Sequence, residues 1–557
     1  MRYRRDRHAV PVDTIIVGAG SAGCVLANRL SQDQDHRVLV LESGRSDWWF
    51  DLFVRMPNAP IPDTSDSYAW KYRSRPEPGL DDRRLIHRRG RIVGGSSSIN
   101  AMIFVRGNPL DYDGWAKLPG LQEWDWSHCL PYFIRMENAT QTVTDDPRRG
   151  RSGPLRLQRG DPTTRLNASF LQAAHETGHV IVEDINGFRQ DGFGVLDRST
   201  FAGRRYSASD AYLRAALRRP NVDLVTRAQV TRVLFEGQRA VGVEYQAGGH
   251  LQTVYAEEIV LCGGVFNSPH LLQLSGVGDA DHLGTLQIPV VQHLPGVGSN
   301  LQDHLEAWVQ FSCEEPITEQ PHHAHRLRHG PAIVGRWMLT AGGPGASNHH
   351  EVGGFIRSRA DSLYPDVMCH LLPWLGAVDQ VVPTRDGFEM HVGPMRSTAV
   401  GQVRTVSRDP ASSPEICFNY LSGAHDEQEW LAAIRVARDI GQAPALRALG
   451  SRELSPGTGV VSDNDVLTWV RRNVRSALHP SGSCAMGTGE MAVVDPSTFR
   501  VHGVDGLRVV DASVLPTIPN CNIYAPVMMV AERAADAITG AVPLAPSNLP
   551  YYRAGDP

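Results

Sequence analysis

Lysine is almost missing from this chain: Lys71 and Lys117 are the only ones, and arginine supplies the rest of the basic charge. With a net charge of −5 and a pI near 6.5, there is no basic excess of the kind that nucleic acid or an anionic membrane attracts. No apolar run is long enough to cross a bilayer, so no integral membrane segment is expected. The start, Met1 to His8, is basic and lacks the apolar stretch of a signal peptide, so no removed leader is expected. The eight cysteines are scattered, with no C-x-x-C pair, which reads as free thiols in a reducing compartment. Cytoplasm is the expected location. Metal-ligand spacing is also lacking. His322, His323 and His325 adjoin one another without a carboxylate or thiolate pattern, and the His/Arg-rich stretch 321–329 reads as a mobile lid or surface loop.

What is present begins at Val12. Val12 to Val17 is rich in β-branched residues and reads as a buried strand. Gly18-Ala19-Gly20-Ser21-Ala22-Gly23 follows, then a breaker-free helical stretch to Leu30, then a second strand ending in Glu42. Strand, G-x-G-x-x-G, helix, strand and acid make up a dinucleotide fingerprint in its confirming context. Gly18 turns the chain, Gly20 admits a pyrophosphate to the backbone, and Gly23 lets helix and strand pack. The N–H groups that open the helix, from Ser21 and Ala22 onward, face the phosphates. Glu42 can accept hydrogen bonds from ribose hydroxyls and would repel a 2′-phosphate, which disfavours NADP. The fingerprint alone does not separate FAD from NAD. With 557 residues, 41% hydrophobic and 21% charged, the chain reads as a soluble protein of two domains or more.

A second signal runs from Gly90 to Asp111 and includes Gly94-Gly95-Ser96-Ser97-Ser98-Ile99-Asn100. Its glycines and serines offer N–H groups and hydroxyls to a flat or anionic ligand. This stretch resembles the first signature of the glucose–methanol–choline (GMC) family of FAD oxidoreductases. Gly264 to Gly278 resembles the second, although Val265 stands where a small residue is usual. Pro295 to His304, Ala477 to Gly487 and Gly506 to Ser513 are family-like as well, in order and at family spacing from about Val12 to Ile538. Arg75 to Pro78, Val105 to Asn108, Gly353 to Ser358 and His391 to Ser397 resemble the choline dehydrogenase branch.

The resemblance implies an α/β protein: a Rossmann-like FAD-binding domain with an inserted α+β substrate domain whose antiparallel sheet roofs the flavin. The FAD domain is expected over 12–160, 200–305 and 465–545, and the substrate domain over 161–199 and 306–464. The FAD contacts implied are Gly18, Gly20, Ser21, Ala22, Gly23, Glu42, Arg91, Val93, Gly94, Gly95, Ser96, Asn100, Ala101, Met102, Ile103, Val230, Asp511, Ala512 and Asn522. Some members attach FAD through a histidine just before the asparagine of the first signature; Ile99 holds that place here, so FAD is expected to be non-covalent.

Alcohol oxidation by flavin needs a base for the hydroxyl proton, a carbon-bound hydrogen facing the flavin N5, and donors for the transient alkoxide. An imidazole suits the first task because its pKa of about 6.5 leaves it mostly neutral at neutral pH. By resemblance, His479 is the base. Its polar partner is Asn522, fourteen positions before Asp536, with Asn520 as the near alternative. Glu351 could face a cationic substrate, and Met102, Phe104, Trp374 and Tyr524 could form a pocket. Cys521 reads as a space filler. The expected activity is oxidation of an alcohol, a primary one in the leading reading, to the aldehyde, with electrons passing to oxygen or another acceptor. A lyase, or another non-redox relative of the same fold, is the alternative.

Overall fold

The computed structural model describes residues 12–59, 66–142, 145–317, 323–359, 361–376 and 386–555. The strand Val12–Val17 lies between Val38–Glu42 and His250–Leu261, parallel to both, with Val17 opposite Leu41 and Leu261. Val222–Thr226 adds outside Val38–Glu42, and Leu507–Val509 adds outside His250–Leu261. Segments hundreds of residues apart therefore share one parallel sheet. Strands buried on both faces need unbroken apolar runs, and Ile15, Ile16, Val40, Ile259 and Val260 are all fully buried. The long strand His250–Leu261 also turns into an antiparallel ribbon with Ala228–Glu236 and Arg239–Ala247.

The helix Ser21–Leu30 crosses from the first strand and packs against the C-terminal helix Tyr524–Thr539. Its position depends on two glycines. Gly18 has φ +108°, and a Cβ there would lie 2.4 Å from the Cys262 carbonyl oxygen. A Cβ at Gly23 would lie 2.0 Å from the Gly18 carbonyl oxygen.

A second sheet is antiparallel, in the order Arg452–Ser455, Leu305–Ser312, Gly387–Pro394, Val367–Leu372, Val352–Ile356, Gly192–Val195. Successive side chains on a strand point to opposite faces. One face carries Ala307, Val309, Phe311, Phe388, Met390, Val392, Cys369 and Leu371, all in a core with Trp430, Ala433, Ile434 and Ala437 of the helix Asp426–Gly441. The other face carries Glu306, Trp308, Gln310, Glu389, His391 and His370. Trp308 pairs with His391, and His391 with His370, across the sheet. The polar face is the one that meets the nucleotide-type half.

Two expectations shift here. The helix Asp463–Asn473 buries Val466 and Val470 in the second core, so the boundary expected at 465 falls after that helix. Within the stretch read as a loop, residues 321 and 322 lie outside the described residues, and from His323 the backbone is a helix, His323–Thr340.

Replacing Gly23 with valine drives a side chain into the Gly18 carbonyl, which has no room to move between two strands. Gly23→Val is expected to lose more than about 3 kcal/mol of stability. A circular dichroism melt within a few degrees of the parent would contradict this packing.

Candidate active site

A cavity of about 710 Å³ runs between the two halves. One end is lined by Glu42, Gln229 and Val230, the middle by Gly18, Gly20, Ser21, Ala22, Arg91, Gly95, Ser96, Asp511 and Ala512, and the other end by His479 and Asn522. Asn100, Ala101, Met102, Ile103 and Tyr524 are also on its wall. The helix Ser21–Leu30 opens at Gly20 with no side-chain cap and no acid in its first turn, leaving its N–H groups turned to the cavity. A Cβ on Gly95 would lie 2.6 Å from the Gly20 Cα, so the two glycine-rich turns meet backbone to backbone. This cradle fits a pyrophosphate. Glu42 accepts from the N–H groups of Ala19 (2.9 Å) and Gly44 (2.7 Å), and burial raises its pKa to about 7.

Several expected contacts stand behind this surface. Gly23 is in the helix packing already described. Val93 and Gly94 donate their N–H groups to the carbonyls of Arg45 (3.0 Å) and Ala19 (2.7 Å) and hold the turn from outside. The Asp511 carboxylate reaches the cavity, but it accepts from the Gly264 N–H (2.8 Å), the Ser268 hydroxyl (2.6 Å) and the Ser513 N–H (2.8 Å), so its charge fastens the second signature to the last strand.

His479 is buried, 8% exposed. Its Nε2 accepts from the Asn522 amide at 3.0 Å, and its Nδ1 lies 3.1 Å from the Nδ1 of His304. An accepting Nε2 puts the His479 proton on Nδ1, where it donates to His304. Asn520 is directed elsewhere: its amide donates to the Pro365 carbonyl at 2.8 Å, and Asn522 is the residue at the cavity. Burial pushes the His479 pKa well below its ordinary value, and the nearby Arg89 guanidinium adds to the effect. The imidazole is therefore neutral across the working range.

The turn that presents His479 is held from three sides. Leu478 adopts a left-handed φ of +65°, which disfavours a residue with a side chain. Its N–H donates to the Ser476 hydroxyl (2.9 Å), and its carbonyl accepts from Arg89 (2.8 Å). The His479 N–H donates to Asp303 at 2.9 Å. Asp303 is itself buried and accepts from Tyr420 (2.6 Å) and Ser476 (2.5 Å).

Opposite the glycine turns, the polar face of the second sheet supplies Glu306, His370 and His391 to the wall, and His350, just before the strand Val352–Ile356, joins them. The sequence reading did not single out these four for the site. The signal was a polar residue at every second place in otherwise apolar strands, as in Glu306-Ala307-Trp308-Val309-Gln310 and Glu389-Met390-His391. His391 sits between Glu306 (3.4 Å) and Glu389 (3.3 Å) and stacks on Trp308, with ring centroids 4.6 Å apart. Burial opposes its charge, but the two carboxylates prevail and raise its pKa to about 9. The imidazolium thus lies between two acidic side chains, of which Glu306 is on the cavity wall, and the Arg475 guanidinium lies over Trp308 at 4.0 Å.

The substrate-pocket expectations need correction. Glu351 is buried away from the cavity in an ion pair with Arg198 (2.8 Å), also accepting from Ser347 (2.6 Å). Trp374 donates to Glu389 at 3.2 Å from behind the wall. Phe104 is fully buried in the first core. Cys521 is also fully buried, packed beside Gly107 in a small apolar cluster.

The GMC oxidoreductase sequence profile matches residues 12–306 with its N-terminal part and 397–531 with its C-terminal part. An oxygen-dependent choline dehydrogenase of Staphylococcus xylosus is 48% identical over 547 residues, 98% of this chain and 97% of that protein. Among solved structures, pyridoxine 4-oxidase from Mesorbium loti superposes with a TM-score of 0.83 at 30% identity, covering 95% of this chain and all of that one. A fungal aryl-alcohol oxidase superposes with a TM-score of 0.81 at 26% identity, covering 95% of this chain and 99% of that one. No helix among the described residues is long and apolar enough to cross a membrane.

The raised pKa of His391 has a thermodynamic consequence. The folded protein holds this proton more tightly than the unfolded chain, so the stabilisation is complete below about pH 6.5 and is lost as pH rises toward 9. The melting temperature is expected to fall across that window, by the equivalent of up to about 3 kcal/mol. In His391→Gln the same stretch of the profile should be flatter; an unchanged slope would contradict the ion pair.

Proposed function

This chain belongs to the GMC oxidoreductase family and is an FAD-dependent enzyme that oxidises an alcohol; from that premise we propose that His479 takes the hydroxyl proton of a primary, cationic alcohol while Asn522 holds its oxygen. When bound, FAD supplies the acceptor for the hydride that leaves the alcohol carbon. The residues fitted to hold it are Gly20, Ser21 and Ala22 at the helix start, Glu42 and Val230 at the adenosine end, and Gly95, Ser96 and the 100–103 segment along the middle.

The observation that carries the assignment is the His479–Asn522 hydrogen bond at the end of the cavity. The amide marks Nε2 as the lone-pair nitrogen. A substrate hydroxyl that donates to Nε2 releases the amide, which can then donate to the same oxygen as it gains charge. His304 accepts the Nδ1 proton and keeps this tautomer in place, and Asp303 fixes the backbone beneath it. A positioned base of this kind is worth roughly 10²–10⁴ in rate.

The Glu306 carboxylate on the cavity wall, opposite the His479 end, supports a cationic alcohol. The staphylococcal relatives are named for choline, an alcohol of that class. Ile99 at the position of the family's flavin-linking histidine supports non-covalent FAD. Nothing in the site favours the lyase reading.

His479→Ala is expected to fold, keep its yellow colour and reduce its flavin at least 10²-fold more slowly under anaerobic mixing. Normal reduction in that variant would end the assignment. Glu306→Gln should lower kcat/KM for cationic alcohols by about 10²-fold or more while leaving neutral alcohols within about threefold, because only the former meet the charge. Acid precipitation should leave the flavin in the supernatant; colour retained in the pellet would show a covalent bond.

A further inference from the structure

We propose that the wall formed by His350 and His370 selects an amino alcohol whose cationic nitrogen carries hydrogen, a protonated primary, secondary or tertiary amine, over a quaternary ammonium. This rests on the reading of the site as one for a cationic alcohol and names the kind of cation.

Two buried atoms motivate it. His350 Nδ1 and His370 Nε2 have no hydrogen-bond partner, and both residues line the cavity. The rings are 5.9 Å apart and nearly perpendicular, at 80°. His350 stands the same 5.9 Å from the His391 ring, and His370 is the cross-strand neighbour of His391. Burial and the neighbouring His391 charge keep both rings neutral. A neutral imidazole has a lone pair on one nitrogen and can leave its unpartnered nitrogen as an acceptor. The wall thus sets the Glu306 carboxylate beside two buried, unpartnered nitrogens, and in the accepting tautomer these call for a positive group with N–H donors.

A quaternary ammonium has no N–H to give. Sites for such cations hold them against open aromatic faces. That device is lacking here among the described residues. Trp308 is stacked by His391 and covered by Arg475 at 4.0 Å. Of the wall aromatics, Trp70, Tyr72 and Phe266 pack on one another, at 6.1 and 5.1 Å, and Tyr524 belongs to the first core; none of these four rings pairs with His350 or His370. A quaternary group at this wall would leave His350 and His370 buried and unpaired, and a site built to hydrogen-bond discriminates strongly against a ligand that lacks the hydrogen.

The test uses the holoenzyme and two probe sets. Flavin reduction is followed anaerobically with ethanolamine, N-methylethanolamine, N,N-dimethylethanolamine, choline and benzyl alcohol. Binding of trimethylammonium and tetramethylammonium, which have no hydroxyl to oxidise, is measured by calorimetry. Dimethylethanolamine is expected to exceed choline in kcat/KM by at least about 30-fold, and trimethylammonium to bind at least about tenfold more tightly than tetramethylammonium. His350→Phe should bring both ratios to within about threefold. Choline equal to or better than dimethylethanolamine, with tetramethylammonium binding as tightly as trimethylammonium, would overturn the N–H selection and leave the cationic site standing. Reduction by benzyl alcohol alone, with neither ammonium ion binding, would overturn the cationic site and this inference with it.

Discussion

The His479 end of the cavity depends on keeping one buried imidazole neutral. His479 is enclosed by groups that give it no counter-ion: a neutral amide on Nε2, a neutral imidazole on Nδ1 and an arginine nearby. Desolvation then disfavours the charged form and leaves a lone pair free for a proton. Asp303, the one carboxylate close by, accepts from the His479 backbone N–H rather than from its ring. The acid thus fixes where the imidazole stands without making it a cation. The left-handed Leu478 belongs to the same arrangement, a strained turn secured by Ser476 and Arg89.

The other wall obeys the opposite logic. His391 is as deeply buried, yet two carboxylates hold its proton. The cavity therefore contains one imidazole kept neutral and one kept charged between two acidic side chains. The difference lies in the neighbours, because burial alone pushes both the same way. His350 and His370 are neutral partly because His391 is not.

The nucleotide half contributes through backbone rather than side chains. Gly18, Gly20, Gly23 and Gly95 matter because a Cβ at most of them would strike a neighbouring main chain, as the 2.0 Å approach at Gly23 shows. What results is a row of N–H groups facing a channel, with side chains turned to the cores. Even Asp511, at the channel wall, spends its carboxylate on holding two segments together.

The sequence by itself determined the parts that depend on local pattern. The strand–glycine–helix–strand–acid run from Val12 to Glu42 is legible because each residue type answers a steric or hydrogen-bonding need within thirty or so residues. The family-like motifs carried His479 and Asn522 in the same way. Tertiary structure alone decided which acids and histidines face the cavity. Glu351 and Glu306 are equally plain as letters, yet Arg198 claims the first and the pleat of Leu305–Ser312 turns the second inward. The second sheet brings Glu306, His370 and His391 together through cross-strand register, and the turn before Val352–Ile356 adds His350, a long-range assembly no local pattern encodes. Charge state follows from that assembly, since burial and partners set it and neither exists before the strands pair.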